Sequence, residues 1–220
     1  MPVAIIILFI TSAILFMFMP ELDLLFSSYF YNPVKGGFYL EHNHLVYFID
    51  KAVPKIMRFV VVVLLALLVI TYLAKSKFNI LTSKNLLFII ICLLIGPGLV
   101  VNGIFKEHWG RARPSQIVEF GGTKQFTPAF VISNQCESNC SFTSGHASAG
   151  FFPLCFGMLA TNRKRKIAGY VGGVILGAIV GMVRIVEGAH FMSDVIFSGF
   201  FVYFSALLVR VVMDKILTPR

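Results

Sequence analysis

The chain has 220 residues, 57% hydrophobic and 13% charged, with a formal net charge of +9; its mean hydropathy is +0.84. A soluble surface needs far more charge, which excludes an ordinary soluble domain. A basic balance often marks nucleic-acid binding. Here the excess cations sit in short loops between apolar segments, which argues against nucleic acid as a partner and for a membrane.

Six segments are apolar and close to the length that crosses a hydrocarbon core of roughly 30 Å: Val3–Met19, Met57–Ala74, Leu86–Phe105, His146–Thr161, Ile167–Val183 and Val195–Met213. Backbone hydrogen bonds in lipid must be satisfied within each segment, so the expected fold is all-α, a six-transmembrane-helix bundle forming one domain over residues 1–220. The first segment has no Lys or Arg before it and no small-x-small cleavage site before "PELD", so it is expected to be retained as a helix. The stretch from Pro20 to Lys55 mixes aromatics with a few charges and reads as an interfacial loop, with His42 and His44 solvated ahead of a second reading in which they touch a ligand.

The third segment contains "IGPGL", where Pro97 removes one backbone bond and predicts a kink. In the fifth, Gly169, Gly173, Gly177 and Gly181 recur every fourth residue and predict a close packing seam on one helix face. Cys92 and Cys155 fall in apolar segments and read as packing residues. Cys136 and Cys140 share the loop from Lys106 to Thr143, where a disulfide and two free thiols both remain open.

Orientation follows from the loops. Lys75, Lys77, Lys84, the Arg163–Lys166 run, Arg210, Lys215 and Arg220 are ten basic residues on one side, against the single acid Asp214. The other side carries nine of each sign. Short cytoplasmic loops collect Lys and Arg, so both termini are expected in the cytoplasm and the 106–143 loop outside.

Three polar clusters then fall at the outward ends of the segments: "KEHWGRARP" with Lys106 and Arg113, "SGH" at Ser144–His146, and "RIVEGAHFMSD" with Arg184, His190 and Asp194. Ionisable groups at membrane depth are costly and point to function. Lys106, Arg113 and Arg184 repel one another unless an anion lies among them, and the arginine fork matches phosphate oxygens. Gly145 allows close backbone approach, the Ser144 hydroxyl can donate, and a helix starting here adds partial positive charge. His190 and Asp194, four apart, would share a helical face, and a carboxylate beside an imidazole orients it as nucleophile or base. His146 has no evident carboxylate partner in sequence and suits a general acid. Together these groups describe phosphoryl transfer through a phosphohistidine, with no metal or cofactor required. Glu107, His108, Trp109 and Arg111 either line the pocket or decorate the loop. Glu187 either pairs with Arg184 or meets water.

Lys106, Arg113 and Pro114 as K-x6-R-P, Ser144–Gly145–His146 as S-G-H, and Arg184, His190 and Asp194 as R-x5-H-x3-D resemble the three motifs of the type 2 phosphatidic acid phosphatase (PAP2) superfamily. The resemblance spans Lys106 to Asp194 and implies six transmembrane helices, no metal and a site at the membrane's outer face. It implies His190 as nucleophile, Asp194 orienting it, His146 as acid, and the remaining motif residues binding phosphate. The sequence departs from that pattern at Thr143, where the family has proline, and at Val183, where it has serine. "IGPGLVVNGIFKEHWGRARP" and "FVISNQCESNCSF" are further similar to the inner-membrane lipid A 4′-phosphatases of Gram-negative bacteria, which act on the outer leaflet's lipid A.

The expected function is thus a metal-independent phosphatase of a phosphorylated membrane lipid, lipid A first, in the bacterial inner membrane with a periplasmic active site. Lipid A 1-phosphatases, undecaprenyl pyrophosphate phosphatases and phosphatidylglycerophosphate phosphatases share the motifs. A lipid phosphotransferase and an anion transporter are further readings. A metal hydrolase built on His108, His146, His190 and Asp194 would set a dication beside three fixed cations, at a large Coulomb cost.

Overall fold

A computed structural model of the chain describes residues 2–73 and 83–217. Ala74, Lys75, Lys77 and Arg220, used above for a segment end and for orientation, lie outside the described residues.

The apolar first segment is helix α1 (Pro2–Phe18). It meets α2 (Glu21–Ser28) at a bend of 84°, with Glu21 and Asp23 in the first turn of α2, where acids complement the helix dipole. A two-stranded antiparallel hairpin follows, β1 (Tyr31–Asn32) pairing with β2 (Gly37–Phe38). Helix α3 then runs from His44 to Leu73, 30 residues with Pro54 inside. This corrects the interfacial-loop expectation: most of Pro20–Lys55 is helix and hairpin, and the second apolar helix starts 13 residues before Met57. His42 and His44 are exposed, as expected.

Helix α4 is continuous over Ser83–His108. Pro97 does not break it. The chain takes π-helical register over Leu94–Phe105, and the Asn102 side chain donates to the Pro97 carbonyl at 2.6 Å. Wider turns let the rod pass a residue that cannot donate.

The fourth segment is two short helices, α5 (Gly145–Phe151) and α6 (Leu154–Leu159), interrupted at Phe152–Pro153. The expected single helix over His146–Thr161 is corrected accordingly. Helices α7 (Arg163–Val186) and α8 (Met192–Leu217) complete the chain. Among the described residues, four helices can cross a membrane by length and composition, and five if the bent α1–α2 pair is one span. That is fewer than the six expected. Apart from the hairpin and the largely irregular stretch from Trp109 to Ser144, the described residues are mostly helical.

The glycine seam lies where its four-residue period predicts. A Cβ on Gly169 would lie 2.5 Å from the Gly157 nitrogen, and one on Gly173 would lie 2.7 Å from the Leu154 nitrogen. Gly177 faces the Phe151 ring, and Gly181 faces Val195. Helix α7 is thereby held against α5, α6 and α8. Cys92 and Cys155 are buried in a core shared by α3, α4, α6 and α8. An aromatic layer adjoins the polar clusters: Phe105 stacks on Phe201 at 4.3 Å, and Phe142 meets Trp109 at 5.4 Å.

Candidate active site

Helix α7 ends in a turn that explains the spacing between Arg184 and His190. Gly188 has φ +73°, a conformation that other residues rarely adopt. The backbone N–H groups of Ala189 and His190 both donate to the Arg184 carbonyl, at 3.0 and 3.2 Å. The chain therefore folds back and sets His190 beside Arg184. His190 precedes α8 instead of lying within it, so the expected shared helical face with Asp194 is corrected. Asp194 lies in the first turn of α8 and accepts from the Phe191 N–H at 2.8 Å, drawing the loop inward.

His190 is fully buried. Its Nδ1 lies 2.8 Å from the Ser141 carbonyl and 3.6 Å from Asp194 Oδ2. Its Nε2 is buried without a hydrogen-bond partner among the described residues. Burial, chiefly, pushes the ring's pKa down to about 3; the Asp194 carboxylate opposes this, and the Lys106 and Arg184 charges add to it. The imidazole is neutral at ordinary pH, with a lone pair available. Asp194 itself is held by Arg111 at 2.6 Å and by the Ser141 hydroxyl at 2.6 Å.

The Lys106–Arg113 stretch and the S-G-H segment are tied together. The Cys140 N–H donates to the Lys106 carbonyl at 3.0 Å, and the Ser141 N–H to the Arg111 carbonyl at 2.8 Å. Arg113 donates to the Asn139 carbonyl at 2.9 Å. Cys136 and Cys140 are disulfide-bonded, resolving the two readings of that loop. Ser144 caps α5, accepting from the Ala147 N–H. Gly145 is needed locally because a side chain there would strike the Asn102 amide.

Lys106 and Arg184 are buried. Burial lowers the pKa of Arg113, and the nearby Arg184 charge lowers it further, so the guanidinium groups share one region. Lys106 has no ion-pair partner among the described residues. Arg184 pairs with Glu187 and with Asp50 of α3. Burial, the larger cause, raises the Glu187 pKa to about 7 despite Arg184. His146 is not partnerless: its Nε2 lies 3.0 Å from the Asp50 carbonyl and 3.3 Å from the Asp50 carboxylate. His146, Arg184, His190 and Asp194 thus form one connected cluster, with the Lys106 and Arg184 charges acting on it.

Sequence reasoning undervalued Arg111. It is fully buried, donating to the Thr127 carbonyl, Ser193, Asp194 and Asp23 at 2.6 to 2.9 Å. Its guanidinium also lies 4.2 Å from the Phe191 ring centroid. Asp23, read as part of an interfacial loop, is completely buried and also binds the Ser193 backbone and hydroxyl. The available signal was an acid just after an apolar helix, and a second arginine two residues from Arg113. Glu107 and His108 are exposed. No group of three or more His, Cys, Asp or Glu side chains converges to hold a metal among the described residues.

This arrangement offers a neutral imidazole nitrogen, a second histidine, and buried cations to hold an anion. The chain is 41% identical over 205 residues to a lipid A 4′-phosphatase of Francisella tularensis subsp. novicida, covering 92% of this chain and 90% of that one. It is 36% identical over 135 residues to a lipid A 4′-phosphatase of Rhizobium leguminosarum, covering 60% and 58% of the two chains. Against another from Rhizobium etli it is 37% identical over 135 residues, covering 60% and 52%. No solved structure matches the chain. The PAP2 superfamily profile matches residues 85–217, a stretch that contains all three motifs, and the chain belongs to the PAP2 superfamily.

Proposed function

We propose that this protein is a lipid A 4′-phosphatase, a phosphoric monoester hydrolase working through a phosphohistidine. The observation that carries the reading is the lone pair of His190 Nε2, buried and unpartnered beside cations. The kinship with lipid A 4′-phosphatases supports the substrate.

In the proposed reaction the 4′-phosphate is held by Lys106, Arg113 and Arg184, with Ser144 and Gly145 at the start of α5. Nε2 of His190 attacks phosphorus, while Asp194 and Ser141 orient the ring. His146 protonates the departing sugar oxygen. It then takes a proton from the water that hydrolyses the phosphohistidine. Positive charge fixed in a buried site stabilises the phosphoryl oxygens without reorganising.

The chain acts as one domain in the bacterial inner membrane, its partners being the phosphorylated lipid and surrounding lipids. Both termini are cytoplasmic and the site opens to the periplasm, which the ten basic residues on the opposite loops support. The bent α1–α2 pair supplies one crossing. Helices α5 and α6 together supply a sixth; the stretch from Gly145 to Leu159 reaches only about 22 Å, which suits a crossing whose outer mouth is the polar site.

Mass spectrometry of lipid A from cells with and without the protein tests the substrate. Loss of one phosphate mass, located at the 4′ position by fragmentation, is the expected result. An unchanged lipid A profile with altered prenyl pyrophosphates would overturn it.

A further inference from the structure

We propose that Asp50 is the positioning residue for His146, holding its Nε2 through both a main-chain carbonyl and a carboxylate. The proposal rests on the phosphatase reading and adds a residue outside the three motifs.

Asp50 and Pro54 are four residues apart within α3. The Asp50 carbonyl would normally accept from the N–H of residue 54, and proline has none. The freed carbonyl is the group that meets His146 Nε2 at 3.0 Å, across 96 residues of sequence. The Asp50 carboxylate lies 3.3 Å from the same nitrogen and also pairs with Arg184 and, at 3.0 Å, with Lys51. A carbonyl only accepts, so Nε2 carries a proton. The other ring nitrogen then serves the leaving group.

The charge of Asp50 has a second effect. A general acid must carry its proton before the reaction, and Lys106 and Arg184 both disfavour an imidazolium nearby. The Asp50 carboxylate is a neighbouring negative charge that opposes them. It stands to His146 as Asp194 stands to His190. As the P–O bond to the lipid breaks and the P–N bond to His190 forms, the His146 proton passes to the departing alkoxide. The water that later cleaves the P–N bond returns it.

The test compares kcat/KM, which covers steps up to phosphorylation of the enzyme, on two probes. One is a long-chain alkyl phosphate in detergent micelles, whose leaving alkoxide needs a proton. The other is p-nitrophenyl phosphate, whose phenolate leaves without one. Asp50→Asn is expected to lower the alkyl phosphate value about 100-fold, and the aryl value by less than about threefold. Pro54→Ala restores the intrahelical donor and favours the helix, so its folding is secure; it is expected to cost about tenfold on the alkyl phosphate alone. Equal losses on both probes, or no loss on the alkyl phosphate, would overturn the role of Asp50. A wild-type protein that releases phosphate from neither probe and leaves the 4′-phosphate of lipid A intact would instead overturn the phosphatase reading.

Discussion

The Ser141 carbonyl oxygen lies 2.8 Å from Nδ1 of His190. Because a carbonyl cannot donate, Nδ1 holds the proton of the neutral ring, and the lone pair is at Nε2. Asp194 acts on the ring partly through Ser141, whose hydroxyl it binds at 2.6 Å while the Ser141 carbonyl receives the imidazole. A phosphoenzyme trapped by rapid quenching is therefore expected to carry its phosphoryl group on Nε2 of His190. Phosphorus–nitrogen couplings in labelled protein read this directly, and phosphorylation at Nδ1 would contradict it. His190→Ala is expected to reduce phosphate release by about a thousandfold or more, as removal of a nucleophile does.

The pH profile should carry the signature of Glu187. Burial raises its pKa from 4.5 to about 7, so it is neutral in mildly acidic solution and charged above. In the proposed reaction the charged form would compete with phosphate for Arg184. KM is thus expected to rise as pH passes above about 7, and Glu187→Gln is expected to flatten that rise. The stability sign runs the same way: a folded pKa above the unfolded value means the folded state holds the proton more tightly. This contribution is fully present below about 4.5 and lost as pH rises through about 7. His190, at about 3, should add no acid limb between pH 5 and 7.

Arg111 joins Asp23 and Asp194, all three side chains having no exposure. Replacing it by alanine strands two buried carboxylates, and breaking such a pair typically costs about 3–5 kcal/mol. Arg111→Ala is expected to destabilise the protein by that amount in detergent, read by thermal unfolding. Arg111→Lys keeps the charge but cannot span four acceptors with one planar fork. It is expected to fold while losing about tenfold or more in kcat, because Asp194 no longer sits squarely beside Ser141. Asp23→Asn should give a smaller loss of stability.

The three motifs were legible because each required group is polar in an apolar setting. The glycine period gave the α7 seam. What stayed hidden were partners supplied by distant chain. Asp50 reaches His146 across 96 residues of sequence, and the aromatic, sparsely charged stretch that carries it reads in sequence as an interfacial loop; this is why the start of α3 was misjudged. Arg111 was lost among neighbouring cations, since nothing local marks which arginine is buried. Asp23 sits in "PELDLL", where its pairing depends on the bend after α1. The break at Phe152–Pro153 was signalled by the proline but masked by continuous hydrophobicity on either side.

Gly172 and Gly173 are adjacent in α7 and share its backbone geometry, but they face different surroundings. A Cβ at Gly172 meets nothing within 4 Å, whereas one at Gly173 lies 2.7 Å from the Leu154 backbone nitrogen and 2.9 Å from its side chain. Alanine gains roughly 0.5–1 kcal/mol over glycine inside a helix, so Gly172→Ala should leave stability unchanged or slightly raised. Gly173→Ala must push α6 away from α7, and overpacking of this kind costs about 1–3 kcal/mol. Gly177 presses on Phe151, at the end of the short helix that begins with Gly145 and His146. Gly177→Ala is therefore expected to lower activity as well as stability, because the displacement is transmitted along α5 to His146. Thermal unfolding and phosphate release on the three variants decide the matter: similar behaviour of Gly172→Ala and Gly173→Ala would mean that the seam does not hold the site in place.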